Sequence, residues 1–146
     1  MTFFYEQKDM RNFIVVVFLL VIFSISSYGT ETWQEAAEVV RKPCAEFVQS
    51  QSKPEFVKKW RKKLEERIEQ RIVDQAGDYE QHLRAIVLDW AAGNEGLLRA
   101  GDKEAFIELC LYIGVFIEKG MSPPNMMRDR LTVEVANSLV ERLRSF

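Results

Sequence analysis

The sequence predicts an all-α fold, a small bundle or orthogonal array of four to five helices that follows an N-terminal signal or anchor segment. Apolar residues recur at the helical period in five stretches after residue 30, and capping residues or glycines separate those stretches. No stretch alternates apolar and polar residues for long enough to predict a strand. We therefore expect residues 30–146 to form a single helical domain.

Residues 1–29 have the order of a secretory signal or of a membrane anchor. A short charged segment precedes an unbroken apolar run of eleven residues, 13–23, and small or polar residues follow up to Gly29. Eleven to thirteen residues rise roughly 16–20 Å as a helix, against about 30 Å for the hydrocarbon core of a bilayer. This length favours cleavage, after Ser26 or Gly29, over an uncleaved anchor. Either of these, unlike a buried N-terminal helix, places the helical domain outside the cytoplasm.

The first helix of the domain is expected to begin at a capping box formed by Thr32 and Glu35. Pro43 interrupts its apolar face and, because proline donates no backbone hydrogen bond, predicts a kink or a break near Arg41. Cys44 lies on the apolar face in either case.

The second helix is strongly charged, and only a narrow apolar stripe runs along it. Ser52 and Glu55 predict its start as a capping box, and Gly77 predicts its end near Ala76. The stripe recurs in steps of four and drifts around the helix, so one neighbour cannot cover it unless it crosses obliquely. We expect several neighbours to share the stripe, or part of it to remain for another protein. The stripe consists of Phe56 or Val57, Trp60, Leu64, Ile68 and Ile72.

Capping residues also mark the third and fifth helices. Asp78 and Gln81 form the capping box of the third helix, which we expect to be interrupted between Gly93 and Gly96. The fifth helix is expected to start at Ser122, where a serine cap precedes two prolines, and to continue to the C terminus.

The fourth helix, predicted over 105–117, is apolar on nearly every side and is therefore expected at the centre of the core. Asp102 marks its start, and Lys119 followed by Gly120 marks its end. Gly114 lies inside it, and we expect a neighbouring helix to come close at this glycine.

Cys44 and Cys110 are the two cysteines of the chain. In an exported protein an even pair predicts a disulfide. For a span of 66 residues, the chain-entropy model gives such a bridge roughly 4 kcal/mol of stabilisation. The alternative is a pair of buried thiols that act as small apolar side chains.

The sequence gives little support to catalysis, a metal site or a cofactor, and we interpret the protein as not an enzyme. His82 is the only histidine, which excludes a site built from several histidines of one chain, and its place beside an apolar helix face is typical of a structural residue. The glycines do not form a phosphate-binding loop. A net charge of −2 and a pI near 5.6 argue against a general nucleic-acid binder.

A basic run on the second helix is the most local charge signal. Outside the cytoplasm, such a cluster is suited to anionic lipid headgroups, acidic polymers or an acidic protein partner. The simpler interpretation is a solvated helix face with Trp60 turned towards the core. The run has five cations in six positions: Lys58, Lys59, Arg61, Lys62 and Lys63.

The segment CLYIGVFIEKG, from Cys110 to Gly120, resembles part of the small periplasmic immunity proteins that neutralise type VI secretion peptidoglycan amidases. In that family a cysteine is followed closely by a helical segment like Tyr-Ile-x-Gly-Val, and the C-terminal ANSLVERLRSF is similar to its last helix. The chain lacks the family's further cysteines. The resemblance implies an exported helical inhibitor of a toxic envelope enzyme. The matching residues here are Cys110, Tyr112, Ile113, Gly114 and Val115.

The function predicted from the sequence is that of a small exported binding or accessory protein, periplasmic or secreted, that acts through contacts with a partner protein. An acidic partner would suit the basic run, and a homo-oligomer is compatible with the same surfaces. One alternative is the immunity protein. Another is a subunit of an envelope assembly that is anchored in the inner membrane and meets the membrane only through residues 1–29.

Overall fold

The computed structural model describes residues 31–121 and 132–146, and these form five α-helices without a strand. The all-α prediction is therefore confirmed for this part of the chain. The predicted signal or anchor segment and the predicted helix start at Ser122 lie outside the described residues. No helix in the described ranges is both long enough and apolar enough to cross a membrane. The helices are α1 (Glu31–Gln51), α2 (Pro54–Asp74), α3 (Tyr79–Ala100), α4 (Lys103–Glu118) and α5 (Val133–Arg144).

Helix α4 lies at the centre of the core, as its apolar sequence predicts. Nine of its sixteen residues are buried, which is more than one face of a helix provides. Helix α1 packs against α4 and α5, while α3 packs against α4 and α2. The described core is thus built around one helix that other helices cover from several sides.

Local capping signals position α3 and α4 where the sequence predicts them. The Asp78 carboxylate accepts a hydrogen bond from the Gln81 amide at 2.9 Å, and the Gln81 side chain accepts one from the Asp78 amide at 3.0 Å. Asp102 accepts a hydrogen bond from the Ala105 amide at 3.0 Å. Gly120 follows the end of α4 with a φ of 64°. The predicted caps are therefore confirmed. They could be predicted because each depends only on residues within one helical turn.

The predicted interruption of α3 between Gly93 and Gly96 is wrong, because the helix continues to its cap at Gly101. A glycine inside a helix costs about 1 kcal/mol relative to alanine. Ala91 and Leu98, on either side of the two glycines, are completely buried. Their burial in the core offsets the low helix propensity of the segment.

Helix α1 also continues through its weak point, so the predicted alternative of a break near Arg41 is wrong. Proline inside a helix costs about 3 kcal/mol. Val40, Cys44 and Phe47 lie around Pro43 on one face and are all buried. Burying a large apolar side chain contributes about 1.5–3 kcal/mol, which is enough to hold the helix together.

Ser52 does not cap α2, in contrast to the capping box predicted from the sequence. Its hydroxyl donates to the carbonyl of Val48 at 2.7 Å and so closes the end of α1. The cap position of α2 is Lys53, without a side-chain hydrogen bond, and Pro54 occupies the first turn. Proline removes one of the amides that a cap would satisfy, which explains why the helix starts without one.

The apolar stripe of α2 is buried only in its middle. Leu64 and Ile68 are buried, whereas Phe56 is 38% exposed and Ile72 is 43% exposed. Trp60 is half-buried and packs edge-on against Tyr112, with the two ring centroids 4.9 Å apart. This contact confirms that Trp60 faces the core. The drift of the stripe around the helix therefore leaves both of its ends uncovered by the described residues.

Candidate binding groove

An apolar groove with a volume of about 790 Å³ lies between α1, α2 and α4. This volume is within the range of about 300–1,000 Å³ that is common for ligand sites in proteins. Each of the three helices contributes apolar side chains to the walls. Representative wall residues are Ala45 and Val48 of α1, Val57 and Trp60 of α2, and Leu111 and Val115 of α4.

Gly114 keeps the floor of the groove open. It is exposed, and a Cβ atom added to it would meet no atom within 4 Å beyond its chain neighbours and its own helix backbone. The expectation that a neighbouring helix comes close at Gly114 is therefore wrong for the described residues. The sequence pattern identified a place on α4 that has no side chain. In the structure the space at this place is part of the groove and is not filled by a neighbouring helix of the described chain.

The structure divides the four lysines of the predicted basic cluster into two groups. Lys58 and Lys62 are one helical turn apart and line the groove, whereas Lys59 and Lys63 are exposed without lining it. Neither Lys58 nor Lys62 forms an ion pair within the described part of the chain. Two uncompensated positive charges therefore stand on the α2 side of an apolar surface.

Arg61, the fifth cation of the cluster, is bound to carboxylates of the chain itself. Its guanidinium donates to both oxygens of Glu118 at 3.0 and 3.1 Å, and its Nε donates to Glu65 at 3.4 Å. Glu65 also accepts a hydrogen bond from the hydroxyl of Tyr79 at 2.8 Å. This network joins α2, α3 and α4 beside the groove, so the role of Arg61 within the chain is to connect helices.

The charges of this network stabilise its hydrogen bonds. The hydrogen bond from Arg61 lowers the pKa of Glu118, and that bond likewise raises the pKa of Arg61. Burial first, and then the hydrogen bond to Glu65, raises the pKa of Tyr79 to about 12. Tyr79 is therefore a hydrogen-bond donor at any physiological pH.

Replacing Glu118 by glutamine is expected to reduce the loss of stability in acid. Because its folded pKa lies below its unfolded pKa, the stabilisation by Glu118 is present above the unfolded value and is lost as the pH falls through the folded value. Glu118 is 60% exposed, so we expect the whole contribution not to exceed about 1 kcal/mol. Urea unfolding at a series of acidic pH values measures it. Glu66→Gln, on the exposed face of α2, is the control, and an unchanged acid profile in Glu118→Gln would contradict the expectation.

The two cysteines lie side by side at the groove, one on α1 and one on α4. Cys44 and Cys110 are free thiols in the structure, and both are buried. Burial raises the pKa of Cys110 well above its ordinary value, and the hydrogen bond with Cys44 raises it further. A protonated, buried thiol is a weak nucleophile, so both alkylation and oxidation of this pair are slow in the folded protein. The disulfide between these residues stays a prediction.

His82 is buried on α3, away from the groove. Its Nδ1 accepts a hydrogen bond from Nε of Arg71 at 3.3 Å, while its Nε2 has no partner within the described residues. The hydrogen bond with Arg71 and the burial of the ring fit a structural role. In the described ranges, no three or more histidine, cysteine, aspartate or glutamate residues come together as a metal site would require.

Comparison of the chain with models of protein families, with curated proteins and with solved structures finds no match. The groove is therefore interpreted from its own geometry. Lys58, Lys62 and both cysteines were predicted from the sequence but not placed at one site, because α4, which completes the site, lies far along the chain from α1 and α2. Gly114 was the available signal, since a glycine inside an apolar helix marks either a close contact or an open space.

Proposed function

We propose that this protein is a small exported helical binding protein that does not act as a catalyst and that binds an acidic partner protein in the groove. The observation that carries the proposal is an apolar groove with Lys58 and Lys62 at its edge, neither of them paired within the described chain. Apolar contact supplies affinity, and unpaired cations favour a negatively charged partner and speed its association. This positive edge is a local feature, because the whole chain has a net charge of −2.

The export part of this proposal is supported by the sequence of residues 1–29, with the helical domain either in the periplasm or secreted. If the segment is not cleaved, the domain is held at the inner membrane as part of an envelope assembly. N-terminal sequencing of the protein recovered from cells separates these two possibilities. An intact first residue in the membrane fraction would contradict cleavage.

Filling the groove is expected to abolish capture of the partner from an envelope extract. Gly114→Leu places a side chain in the groove at a position where an added Cβ atom meets no atom within 4 Å, and leucine also has the higher helix propensity. Gly93→Leu is the matched control, because this glycine is also exposed, helical and free of neighbours within 4 Å, but lies on α3 outside the groove. We expect the wild type and Gly93→Leu to retain the same protein and Gly114→Leu to lose it.

Raising the salt concentration should weaken this capture, because exposed charges are screened beyond about 10 Å at 0.1 M salt. Equal recovery of the same protein by wild type and Gly114→Leu would contradict the groove as the binding surface. Recovery of no protein at either salt concentration would contradict the binding function itself.

An immunity protein against a toxic envelope enzyme is the second candidate. The observation that favours it is that four of the five residues matching that family line the groove, so the same surface would meet the enzyme. If the captured partner degrades peptidoglycan, the purified protein is expected to inhibit it and Gly114→Leu is expected not to. A captured partner without such activity would exclude this candidate. The four residues are Cys110, Ile113, Gly114 and Val115.

A further inference from the structure

We infer that the part of the partner that enters the groove is an amphipathic α-helix with an apolar face and carboxylates along one edge. This inference rests on the proposed function and adds which element of the partner is recognised. The length of the groove, the open space at its floor and the spacing of its cations each support it.

The length of the groove matches about two turns of a helix. Its lining residues extend from Cys110 to Glu118 on α4 and from Val57 to Glu65 on α2, which is about 12 Å on each helix at 1.5 Å per residue. Two helical turns rise about 11 Å. A guest helix therefore presents apolar side chains at positions i, i+3 or i+4, and i+7, which is the usual pattern of a helix bound in a groove.

The floor of the groove permits close approach at its centre. Gly114 is the midpoint of the lining segment of α4, and the facing wall of α1 contains Ala45, whose side chain is a single methyl group. Helices pack with their axes about 8–10 Å apart, and small side chains at the contact allow the shorter distances. The central anchor of the guest helix consequently fits above Gly114.

The cations favour a ligand whose carboxylates are spaced along its length. Lys58 and Lys62 are four residues apart on α2, so their Cβ atoms are about 5–6 Å apart on one edge of the groove. Acidic residues separated by one turn on a guest helix have the same spacing and meet both lysines. A fatty acid brings only one negative charge, whereas two spaced carboxylates match the two positive charges of the lysines.

The acidic residues of the groove do not oppose such a guest. Glu65 and Glu118 are the carboxylates that line it, and both are paired with Arg61. Arg41 adds a further cation on the α1 side, where it pairs at 3.4 Å with an exposed glutamate, Glu38. The groove therefore keeps an excess of positive charge after its internal ion pairs are formed.

The direct test is binding of a fluorescent helical peptide to the protein purified as it is recovered from cells, measured by fluorescence anisotropy. The peptide has about fourteen residues, capped ends, leucines at i, i+3, i+4 and i+7, and glutamates one turn apart along one edge. A scrambled peptide of equal composition and dodecanoate, an amphiphile with one carboxylate, are the comparison ligands. We expect the designed peptide to bind at least about tenfold more tightly than the scrambled one.

Two pairs of variants localise the binding. Reversal of the groove cations, Lys58→Glu with Lys62→Glu, is expected to weaken peptide binding about tenfold or more. The matched reversal of Lys59 and Lys63, which lie on the same helix outside the groove, is expected to change binding less than about threefold. Gly114→Leu should abolish binding, and Gly93→Leu should leave it unchanged.

Three outcomes would overturn the inference. They are equal binding of the scrambled peptide, equal effects of the two charge reversals, and binding of dodecanoate in the groove without binding of the peptide. If the peptide fails while capture of the partner still depends on Gly114, the helical guest is wrong and the proposed function stands. If neither depends on Gly114, both are wrong.

Discussion

Replacing Phe106 by alanine is expected to lower the free energy of unfolding by about 3–5 kcal/mol. Phe106 is completely buried in the first half of α4. The centroid of its ring lies 5.3 Å from that of Phe146, and Cζ of Arg142 lies 5.6 Å from the same Phe106 centroid. Alanine would leave a cavity and would remove the contact between α4 and the C-terminal end of the chain. Because a domain of this size is stable by only about 5–15 kcal/mol, this one change removes a large share of the total.

Urea unfolding followed by far-UV circular dichroism measures this loss. Phe56→Ala is the matched control, because Phe56 is 38% exposed on α2 and its truncation is expected to cost less than about 1 kcal/mol. If both variants lost the same stability, α4 would not be the centre of the core. A changed slope of the unfolding curve would show that the unfolded state had changed as well.

Oxidation of Cys44 and Cys110 to a disulfide is expected to raise the free energy of unfolding by roughly 4 kcal/mol. The two thiols are neighbours on α1 and α4, helices that already pack together, so the bridge constrains the unfolded chain more than the folded one. Each thiol gives up one hydrogen, and the two electrons pass to the disulfide of an exported oxidoreductase, which leaves as a dithiol. The reaction must begin with attack by a thiolate on the disulfide of the oxidoreductase. Burial of both thiols makes this step slow once the protein has folded.

The measurement compares protein alkylated in denaturant immediately after its isolation with protein that is reduced first, because the denaturant exposes the two buried thiols to the reagent. A mass lower by two hydrogens, and no alkylation without reductant, are expected. The double variant Cys44→Ala with Cys110→Ala should unfold at the same urea concentration with and without reductant, whereas the oxidised wild type should lose stability when reduced. Two alkylated cysteines in freshly isolated protein without reductant would show that the pair remains as buried thiols.

The elements that the sequence predicted correctly depend on neighbours within a few residues. Asp78 and Asp102 cap α3 and α4 through amides three positions later, and such contacts are visible in the order of residues. The breaks predicted near Arg41 and between Gly93 and Gly96 were wrong for the opposite reason. Local propensity disfavours a helix there, but burial against distant helices outweighs it, and a local pattern does not show that burial.

The same distinction between local contacts and contacts between distant helices applies to the candidate site. The pairing of Arg61 with Glu65, four positions apart, is expected from helix geometry, whereas its bond to Glu118 joins residues 57 positions apart. Likewise the basic run was visible as a cluster, but only the packing of α1 and α4 beside α2 distinguishes Lys58 and Lys62 from their neighbours. The groove itself is a space between helices, and a helical pattern specifies which faces are apolar without specifying which of them is left uncovered.

At Gly114, the stability of the helix and the openness of the groove favour different residues. A leucine or methionine there would favour the helix by up to about 1 kcal/mol and would add apolar contact with the groove walls. Selection for resistance to heat alone would therefore close the groove, and selection for binding would keep it empty. If the groove binds a partner as proposed, the helix stability lost at Gly114 is the cost of keeping the groove open.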